Sequence, residues 1–306
     1  MNDGKVDWAG NFPAVVSPFD QEGEIDETMF ARNIEILINE GVDGVVVSGS
    51  NGESWALKPD ERLRLFRLAR AVAGPDLTVI GGTGAILTPD VAELTAAAHD
   101  TGVDGVMIMP PYYAGVSRRE VVAHYRAVSD TAKIPILIYN TKSTGFNVTA
   151  DIAEELADIE YVVAIKQSCP DFVQFEQTVA QVGERIRVFT GHSATRGLAA
   201  IMVGGVGFVS SLDPHVMGRE GISLYRLARD GAYDEARRVQ MRTMELATKL
   251  GSIGTGPATM KAAMNMLGRP GGYPRRPVLE LTVDEKNQVR AVLDSLGLAA
   301  QAEAAE

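Results

Sequence analysis

The stretch "VDGVVVSGS" at residues 42–50, followed by "KPDERLRLFRLARAVAG" at residues 58–74, decides the fold. The first segment is apolar without strict alternation, which is typical of a strand that is buried on both faces. The second segment carries apolar residues at three- and four-residue steps, has Pro59 in its first turn and ends at Gly74. That pattern predicts an amphipathic helix. A strand followed by a helix is therefore the repeating unit that we look for elsewhere in the chain.

The same unit recurs along the chain. Seven further short apolar runs, each followed by a segment with helical spacing, occur at residues 12–19, 77–84, 103–111, 134–140, 161–168, 186–192 and 204–211. Strands that are apolar on both faces and alternate with helices imply a parallel sheet, and eight such units close into a (β/α)8 TIM barrel. An open doubly wound sheet is the alternative, but its usual Gly-rich phosphate turn is absent from "VVSPFDQEGEID" after the first strand.

Three more helical stretches follow the eighth unit, at about residues 232–250, 256–267 and 283–297. No linker-like change in composition precedes them, so we expect an appendage that belongs to the same structural unit. The predicted organisation is a catalytic barrel over residues 1–230 and a C-terminal helical appendage over residues 231–306.

Composition narrows the class of protein. The 306 residues carry a net charge of −11 and the sequence pI is about 5.0, which disfavours a nucleic-acid partner or an anionic membrane surface. The single cysteine, Cys169, rules out an intrachain disulfide and fits a reducing compartment. The N-terminus lacks the apolar core of a signal peptide, and no run reaches about 18 apolar residues. We expect a cytoplasmic protein.

One lysine lies where a cation is costly. Lys166 sits inside the apolar run "YVVAIKQS" and is the only cation at a predicted strand end, the edge where active sites of such barrels lie. Tyr139 ends the preceding strand and can point into the same mouth. A desolvated amine can exist neutral and attack a ketone to form a Schiff base, and a nearby phenol can relay the protons. The alternative is a lysine that reaches solvent at the barrel rim.

Other strand ends are polar but less specific. The turn "GSNGES" at residues 49–54 can hold a carboxylate or phosphate through backbone N–H groups and a hydroxyl, or it can be a tight turn that needs glycine. The tyrosines of "PPYY" at residues 110–113 line a pocket or pack a stiff loop. His192 and His215 lie near strand ends without a carboxylate at ligand spacing, so we expect no metal site.

Four motifs occur together in one order: "GSNGES" after strand two, "PPYY" after strand four, "YN" ending strand five and "IKQS" on strand six. In this the chain resembles the dihydrodipicolinate synthase/N-acetylneuraminate lyase family, and the resemblance extends over almost the whole chain. It implies a (β/α)8 barrel with a C-terminal helical extension, commonly a homotetramer built as a dimer of dimers. It also implies a class I mechanism that uses pyruvate or another 2-oxo acid.

Carried over position by position, the resemblance makes Lys166 the Schiff-base lysine and Tyr139 the proton-relaying tyrosine over the imine. It makes Ser50 and Asn51 the residues that bind the 2-oxo acid carboxylate through backbone N–H and hydroxyl groups. Tyr113 matches the second tyrosine of the family's pair, which in many members reaches into a neighbouring subunit's site. The remaining expected substrate contacts lie at the same barrel mouth: Gly49, Thr144, Gly191 and Ser210.

The chain departs from the family pattern where substrate is chosen. Asn51 stands where Thr is commoner, which removes a hydroxyl from the proton relay. Thr144 in "YNTKSTG" stands where dihydrodipicolinate-forming members carry an Arg for a second carboxylate, and Lys142 offers a point charge without the bidentate fork. A His-Ser pair follows Gly191 where sialic-acid lyases have two acidic residues. These departures argue against both of those substrates.

The residues and the resemblance together predict a Schiff-base-forming lyase that cleaves or forms a 4-hydroxy-2-oxo acid by aldol chemistry. Three alternatives stay open: a dihydrodipicolinate synthase-like condensation, a 2-keto-3-deoxy sugar acid dehydratase, and a non-catalytic 2-oxo acid sensor. No metal or organic cofactor is expected, because the lysine imine itself acts as the electron sink. The expected partners are a small-molecule 2-oxo acid and further copies of the chain, without nucleic acid or membrane.

Overall fold

The computed structural model describes residues 6–299 and contains one eight-stranded parallel sheet. The strands are β1 (Gly10–Asn11), β2 (Gly44–Val47), β3 (Thr78–Gly82), β4 (Gly105–Ile108), β5 (Ile136–Thr141), β6 (Val162–Ser168), β7 (Arg187–Thr190) and β8 (Gly207–Phe208). Strands β2 to β8 pair with their neighbours in chain order, and β1 pairs with β8. The predicted (β/α)8 barrel is confirmed.

The barrel closes between the first two strands. Beyond β1 the chain forms a parallel bridge from Ala14 to Val46. The backbone N–H of Asp43 donates to Asn11 O at 3.1 Å, and that of Val46 donates to Pro13 O at 2.9 Å. These bonds join the two edges that an open sheet would leave unpaired, so the eight strands surround one interior.

The bounds predicted for the first strand were wrong. Regular pairing covers Gly10–Asn11, whereas the apolar run had predicted a strand over residues 12–19. Pro13 and Pro18 have no N–H to donate to a ladder, so the run cannot pair continuously. The last strand is likewise shorter than the predicted 204–211. Apolar residues continue past the strand ends because the loops there also pack inside the barrel.

Helices follow every strand and form the outer layer. They are α1 (Glu27–Glu40), α2 (Pro59–Ala73), α3 (Thr88–His99), α4 (Arg118–Ala132), α5 (Ala150–Leu156), α6 (Phe172–Val182), α7 (Ser193–Met202), α8 (Leu212–Met217), α9 (Arg219–Arg229), α10 (Tyr233–Leu250), α11 (Gly256–Met266) and α12 (Val283–Ser295). Two short 3-10 helices cover Ser54–Ala56 and Lys142–Thr144.

Local sequence explains where these helices begin and end. The Asp26 carboxylate accepts a hydrogen bond from the N–H of Met29 at 2.9 Å and caps α1, which ends at Gly41 in the left-handed conformation. Pro59 is the first residue of α2, where a missing N–H costs no hydrogen bond. The Glu61 carboxylate accepts a hydrogen bond from the backbone N–H of Lys58. The start and stop that the sequence predicted for α2, at Pro59 and Gly74, are therefore confirmed.

Apolar side chains fill both faces of the sheet. One cluster lies between the strands and the helices, and a second fills the barrel interior, with Phe12, Ile80, Leu137 and Phe189 among its members. Each such side chain contributes about 1.5–3 kcal/mol on burial. The two clusters are the reason that the strands read as continuous apolar runs.

The three helical stretches predicted after the barrel are α10, α11 and α12. Apolar residues of these helices pack with Val216 and Met217 of α8 in a separate cluster. The division at residue 230 stays a prediction, and residues 300–306 of the predicted appendage lie outside the described range. None of the helices in residues 6–299 combines the length and apolarity needed to cross a bilayer.

Candidate active site

Lys166 and Tyr139 lie side by side in the barrel mouth. They are register partners on β6 and β5, and Phe189 of β7 is the next partner across. The Nζ atom of Lys166 lies 4.0 Å from the ring centroid of Tyr139. Both side chains are 7% exposed. The strand register thus brings together the two residues that the sequence singled out, with the amine against the phenol ring and nearly out of water.

Gly191 makes room for the lysine. A Cβ atom at this position would lie 2.8 Å from Lys166 Cε and would collide with Ser168 Oγ. Any larger residue would have to displace the lysine side chain or the hydroxyl beside it. Gly191 is not one of the glycines with positive φ, so backbone conformation does not require a glycine there. The space taken by the lysine side chain does.

The charge state of Tyr139 responds to its neighbours. Burial alone raises the pKa of a phenol. The Lys166 ammonium and the hydroxyls of Ser50 and Thr141 outweigh that effect, so the pKa of Tyr139 lies below its ordinary value. A phenol with a lowered pKa gives up and recovers a proton more readily near neutral pH, which suits a proton relay. The effect of the Ser50 hydroxyl on the pKa of Tyr139 places Ser50 close to this phenol.

The turn after β2 carries an unusual backbone. Ser48 and Glu53 have φ of 56° and 51°, in the left-handed region that residues with a Cβ rarely adopt. Between them Gly52 lies close to the segment that follows β1, because a Cβ there would lie 2.9 Å from Val15 O. The Ser17 hydroxyl donates to Gly52 O at 2.8 Å. We call residues 48–53 the carboxylate turn, after the role expected from the sequence.

Asn51 of the carboxylate turn faces a cavity of about 290 Å³. Its Nδ2 donates to Ser211 Oγ at 2.9 Å, so the amide occupies the place where a threonine hydroxyl was expected. Gly191 lines the same cavity, and so do side chains of α8, α10 and α11. The cavity therefore connects two of the predicted substrate-binding positions with the C-terminal helices.

Several predicted residues are engaged elsewhere. The Thr144 hydroxyl is bonded at 2.9 Å to backbone carbonyls of its own loop, at Thr141 and Phe146. Ser210 is buried and its hydroxyl donates to the Asn11 side chain. Tyr113 is 95% exposed with φ of 70°, so the structure does not bring it to Lys166 within one chain. Gly49 is buried, facing the barrel interior beside Met107.

Sequence reasoning missed two polar groups, one beside the lysine and one in the cavity that Gly191 lines. Ser168, two residues after Lys166 on the same face of β6, has a buried hydroxyl without a hydrogen-bond partner among residues 6–299. Asp213 on α8 is fully buried, and burial raises its pKa to about 6 despite a hydrogen bond from Ser193. The alternation of strand residues could have identified Ser168, but nothing local marks Asp213 as buried.

A second buried lysine supports the carboxylate turn. Lys261 of α11 is 1% exposed, and its Nζ lies 2.5 Å from Glu53 Oε1. It also donates to Ser17 O at 2.7 Å and to Tyr273 O at 2.8 Å. Glu53 lies within the turn at residues 49–54 that the sequence singled out. Its partner was missed, although "PATMKAAM" shows the same signal of one cation in an apolar segment.

A (β/α)8 barrel with a buried amine, an adjacent phenol and a polar turn at its mouth has the parts of a class I, Schiff-base-forming lyase. Comparison with known proteins agrees with that class. The model of the dihydrodipicolinate synthetase family matches residues 7–296. The chain belongs to this family, as the sequence motifs indicated, and it is a lyase of the class I pyruvate-aldolase type.

Relatives cover nearly the whole chain. An uncharacterised DapA-like lyase of Rhizobium meliloti is 35% identical over 90% of this chain and 91% of its own length. A 4-hydroxy-tetrahydrodipicolinate synthase of Heliobacterium modesticaldum is 33% identical over 93% and 94%. The crystal structure of dihydrodipicolinate synthase from Aquifex aeolicus superposes with a TM-score of 0.90 at 31% identity, covering 95% of this chain and 99% of that one.

One of the solved relatives was determined with pyruvate bound. A prophage protein of the dihydrodipicolinic acid synthase family from E. coli K12, determined in complex with pyruvate, superposes with a TM-score of 0.90. It is 25% identical to this chain, and the match covers 96% of this chain and 100% of that one. The predicted family and enzyme class are thus confirmed, whereas the individual site residues stay predictions.

Proposed function

We propose that this enzyme cleaves a 4-hydroxy-2-oxo acid to pyruvate and an aldehyde through an imine on Lys166. The observation that carries the proposal is the Lys166 amine held 4.0 Å from the Tyr139 ring, with both residues only 7% exposed. The carboxylate turn supplies backbone N–H groups and the Ser50 hydroxyl for the acid end of the substrate.

In the proposed reaction the neutral Lys166 amine attacks C2 and forms a carbinolamine. Tyr139 donates its phenolic proton to the departing hydroxyl, so water leaves and a protonated imine remains. The Tyr139 phenolate then takes the proton of the C4 hydroxyl, the C3–C4 bond breaks, and its electron pair moves into the imine to form an enamine. The tyrosine protonates C3, and addition of water releases pyruvate and the free amine.

The aldehyde half of the substrate is proposed to be neutral. Thr144, at the position where dihydrodipicolinate-forming members of the family carry an Arg for a second carboxylate, is bonded to its own loop, and Lys142 is exposed. The cavity beside the site is lined by Asn51, Ser193 and Ser211 together with His192 and Asp213, and no Lys or Arg that could bind a second carboxylate is among the described residues that line it. Condensation of the 4-hydroxy-tetrahydrodipicolinate synthase type is the second candidate, because several relatives of about one-third identity bear that name.

The experiment is borohydride reduction in the presence of pyruvate, followed by intact mass and peptide mapping. A reduced pyruvate adduct on Lys166 is expected, and an enzyme without an adduct at that residue overturns the imine mechanism. A panel of 4-hydroxy-2-oxo acids assayed for pyruvate release then tests the substrate class. Turnover of aspartate semialdehyde with pyruvate, and of no panel member, would select the condensation instead. An adduct without any turnover would select the sensor.

We further propose that the enzyme is a homo-oligomer in which a second copy covers Tyr113. A tyrosine that is 95% exposed on a left-handed backbone is costly to keep in water without a contact. Mixing inactive Lys166→Met chains with weakened Tyr113→Phe chains should restore activity if Tyr113 completes the neighbour's site. Strictly unchanged activity in mixed oligomers would refute a shared site.

A cytoplasmic location is also proposed. It is supported by the single cysteine, which forms no disulfide within the chain, and by the metabolic 2-oxo acid substrate expected for this family. Fractionation of the producing cell, with activity measured in each fraction, tests it; activity in a secreted fraction would exclude it.

A further inference from the structure

The Glu53–Lys261 pair joins the carboxylate turn to the C-terminal helices. Glu53 is fully buried and is the last residue of the turn, whereas Lys261 lies 208 residues later on α11. Because both groups have left water, each depends on the other for its charge balance. Burial lowers the pKa of Lys261 to about 8, and Glu53 opposes that shift. The pair therefore ties two distant parts of the chain at one point.

A second contact holds the other oxygen of the same carboxylate. Glu53 Oε2 accepts from the backbone N–H of Arg275 at 2.9 Å. The guanidinium of Arg275 in turn donates to Ala56 O at 2.8 Å, just beyond the turn, and pairs with Glu61 of α2 at 2.8 Å. Both carboxylate oxygens of Glu53 are thus fixed by residues from the last quarter of the chain.

The pair also reaches the middle of the turn. Lys261 donates to Ser17 O, and the Ser17 hydroxyl donates to Gly52 O at 2.8 Å. The left-handed backbones of Ser48 and Glu53, which bracket the turn, are strained conformations that persist only where surrounding contacts enforce them. The contacts that enforce the Glu53 end come from Lys261 and Arg275. Nothing in the imine chemistry proposed above uses this pair directly.

We infer that Glu53 and Lys261 are positioning residues, which hold the carboxylate turn in the conformation that presents its N–H groups and Ser50 to the carboxylate of the bound 2-oxo acid. This inference rests on the proposed function, since it assigns the turn to the acid end of the substrate. It makes the C-terminal helices a part of substrate recognition, although neither Glu53 nor Lys261 touches the substrate.

The decisive variant is the double replacement Glu53→Gln with Lys261→Met, which removes both charges and leaves none buried alone. Glu53→Gln by itself, which keeps the shape of the side chain and one acceptor oxygen, serves if the double variant does not fold. The matched control is Glu280→Gln with Lys286→Met, an ion pair of 3.1 Å that is nearly half exposed at both ends. Circular dichroism and thermal melting establish that the variants are folded.

The measurement is the concentration dependence of borohydride trapping with two ketones, pyruvate and methyl pyruvate, whose ester lacks the carboxylate charge. We expect the half-saturating pyruvate concentration to rise about 10–100-fold in the double variant, as when hydrogen bonds to a charged group are lost. Trapping with methyl pyruvate should change less than about twofold, and the control pair should leave both ketones unchanged.

A merely structural role predicts a different result, because a misplaced Lys166 would weaken trapping of both ketones in the same proportion. Equal losses for both ketones, or no loss for either, would overturn the positioning role. If the wild-type enzyme itself forms no adduct with pyruvate, the proposed function fails and takes this inference with it. A normal wild-type adduct with unshifted variants rejects the positioning role alone.

Discussion

Two lysines in this molecule are buried, and they differ in the group that lies against the amine. Lys261 is 1% exposed and lies 2.5 Å from the Glu53 carboxylate, with two backbone carbonyls as further acceptors. Lys166 is 7% exposed, and no ion pair within residues 6–299 involves it; its neighbour is the ring of Tyr139. Burial alone therefore does not determine the role of a lysine. The partner does.

The physical reason is the cost of an uncompensated buried charge. A carboxylate at contact distance stabilises the ammonium form, whose nitrogen has no lone pair and cannot act as a nucleophile. A paired lysine is therefore a structural group. Lys166 lies against a phenol ring and forms no ion pair with a carboxylate within residues 6–299, so its nitrogen is available to a substrate carbonyl. The predictions below test this contrast, beginning with the largest expected effect.

Replacing Lys166 by Met should abolish turnover, by at least about 10⁴-fold, because the amine that forms the proposed imine is removed. The free energy of unfolding should change by less than about 1 kcal/mol, since no ion pair is lost and the new side chain is apolar. Pyruvate release and urea unfolding measure the two quantities. A large loss of stability would mean that Lys166 is a structural lysine after all.

Replacing Tyr139 by Phe should slow turnover by about 10²–10⁴-fold, because the ring stays against Lys166 while the relayed proton is lost. Borohydride should still trap pyruvate on Lys166 at equilibrium, since the amine and the carboxylate turn remain. Single-turnover kinetics separates the slow proton transfers from binding. Wild-type rates in this variant would transfer the relay to another group.

Replacing Lys261 by Met should destabilise the fold by about 3–5 kcal/mol, because Glu53 is left buried and unpaired. Adding Glu53→Gln should restore most of that loss, so the two changes are strongly non-additive. Urea unfolding of both single variants and the double variant gives the coupling. Additive losses would show that the pair is not coupled, and the contrast with Lys166→Met would then disappear.

Replacing Gly191 by Ala should lower turnover about 10–100-fold, because its Cβ would meet Lys166 Cε at 2.8 Å and push the amine from the phenol. Gly256→Ala is the matched control: a Cβ there meets nothing within 4 Å at the start of α11. Turnover and adduct formation are compared for both variants. Equal, small effects would show that the lysine has another path to the mouth.

The sequence predicted the repeating architecture because that information is local. Hydrophobic spacing and cap residues act within one strand or one helix, so eight units and three further helices could be recognised. The bounds of β1 were missed because the two prolines in the apolar run were not weighed, and because the Asn11 N–H donates to the Asp43 carboxylate at 2.8 Å. That contact joins residues 32 apart and has no local signature.

The site was predictable to a similar degree. Lys166 and Tyr139 stand out because a polar residue ends an apolar strand, and strand register then makes them neighbours. Lys261 carries the same local signal, yet its role depends on Glu53, which no spacing rule connects to it across 208 residues. Tyr113 shows the opposite limit, since the role proposed for this exposed residue lies in a second copy, whose position one chain's sequence does not give.

The hydrogen bond from Lys261 to Ser17 joins residues 244 apart and has a consequence for the order of folding. All eight strands are synthesised before Lys261, so the barrel can form its sheet while Glu53 still lacks its cation. Contacts of such long separation form late, because the intervening chain must first be ordered. We therefore expect the carboxylate turn to reach its final shape only after Lys261 has docked against Glu53. Imine formation with pyruvate should consequently report completion of the whole chain, and not of the barrel alone.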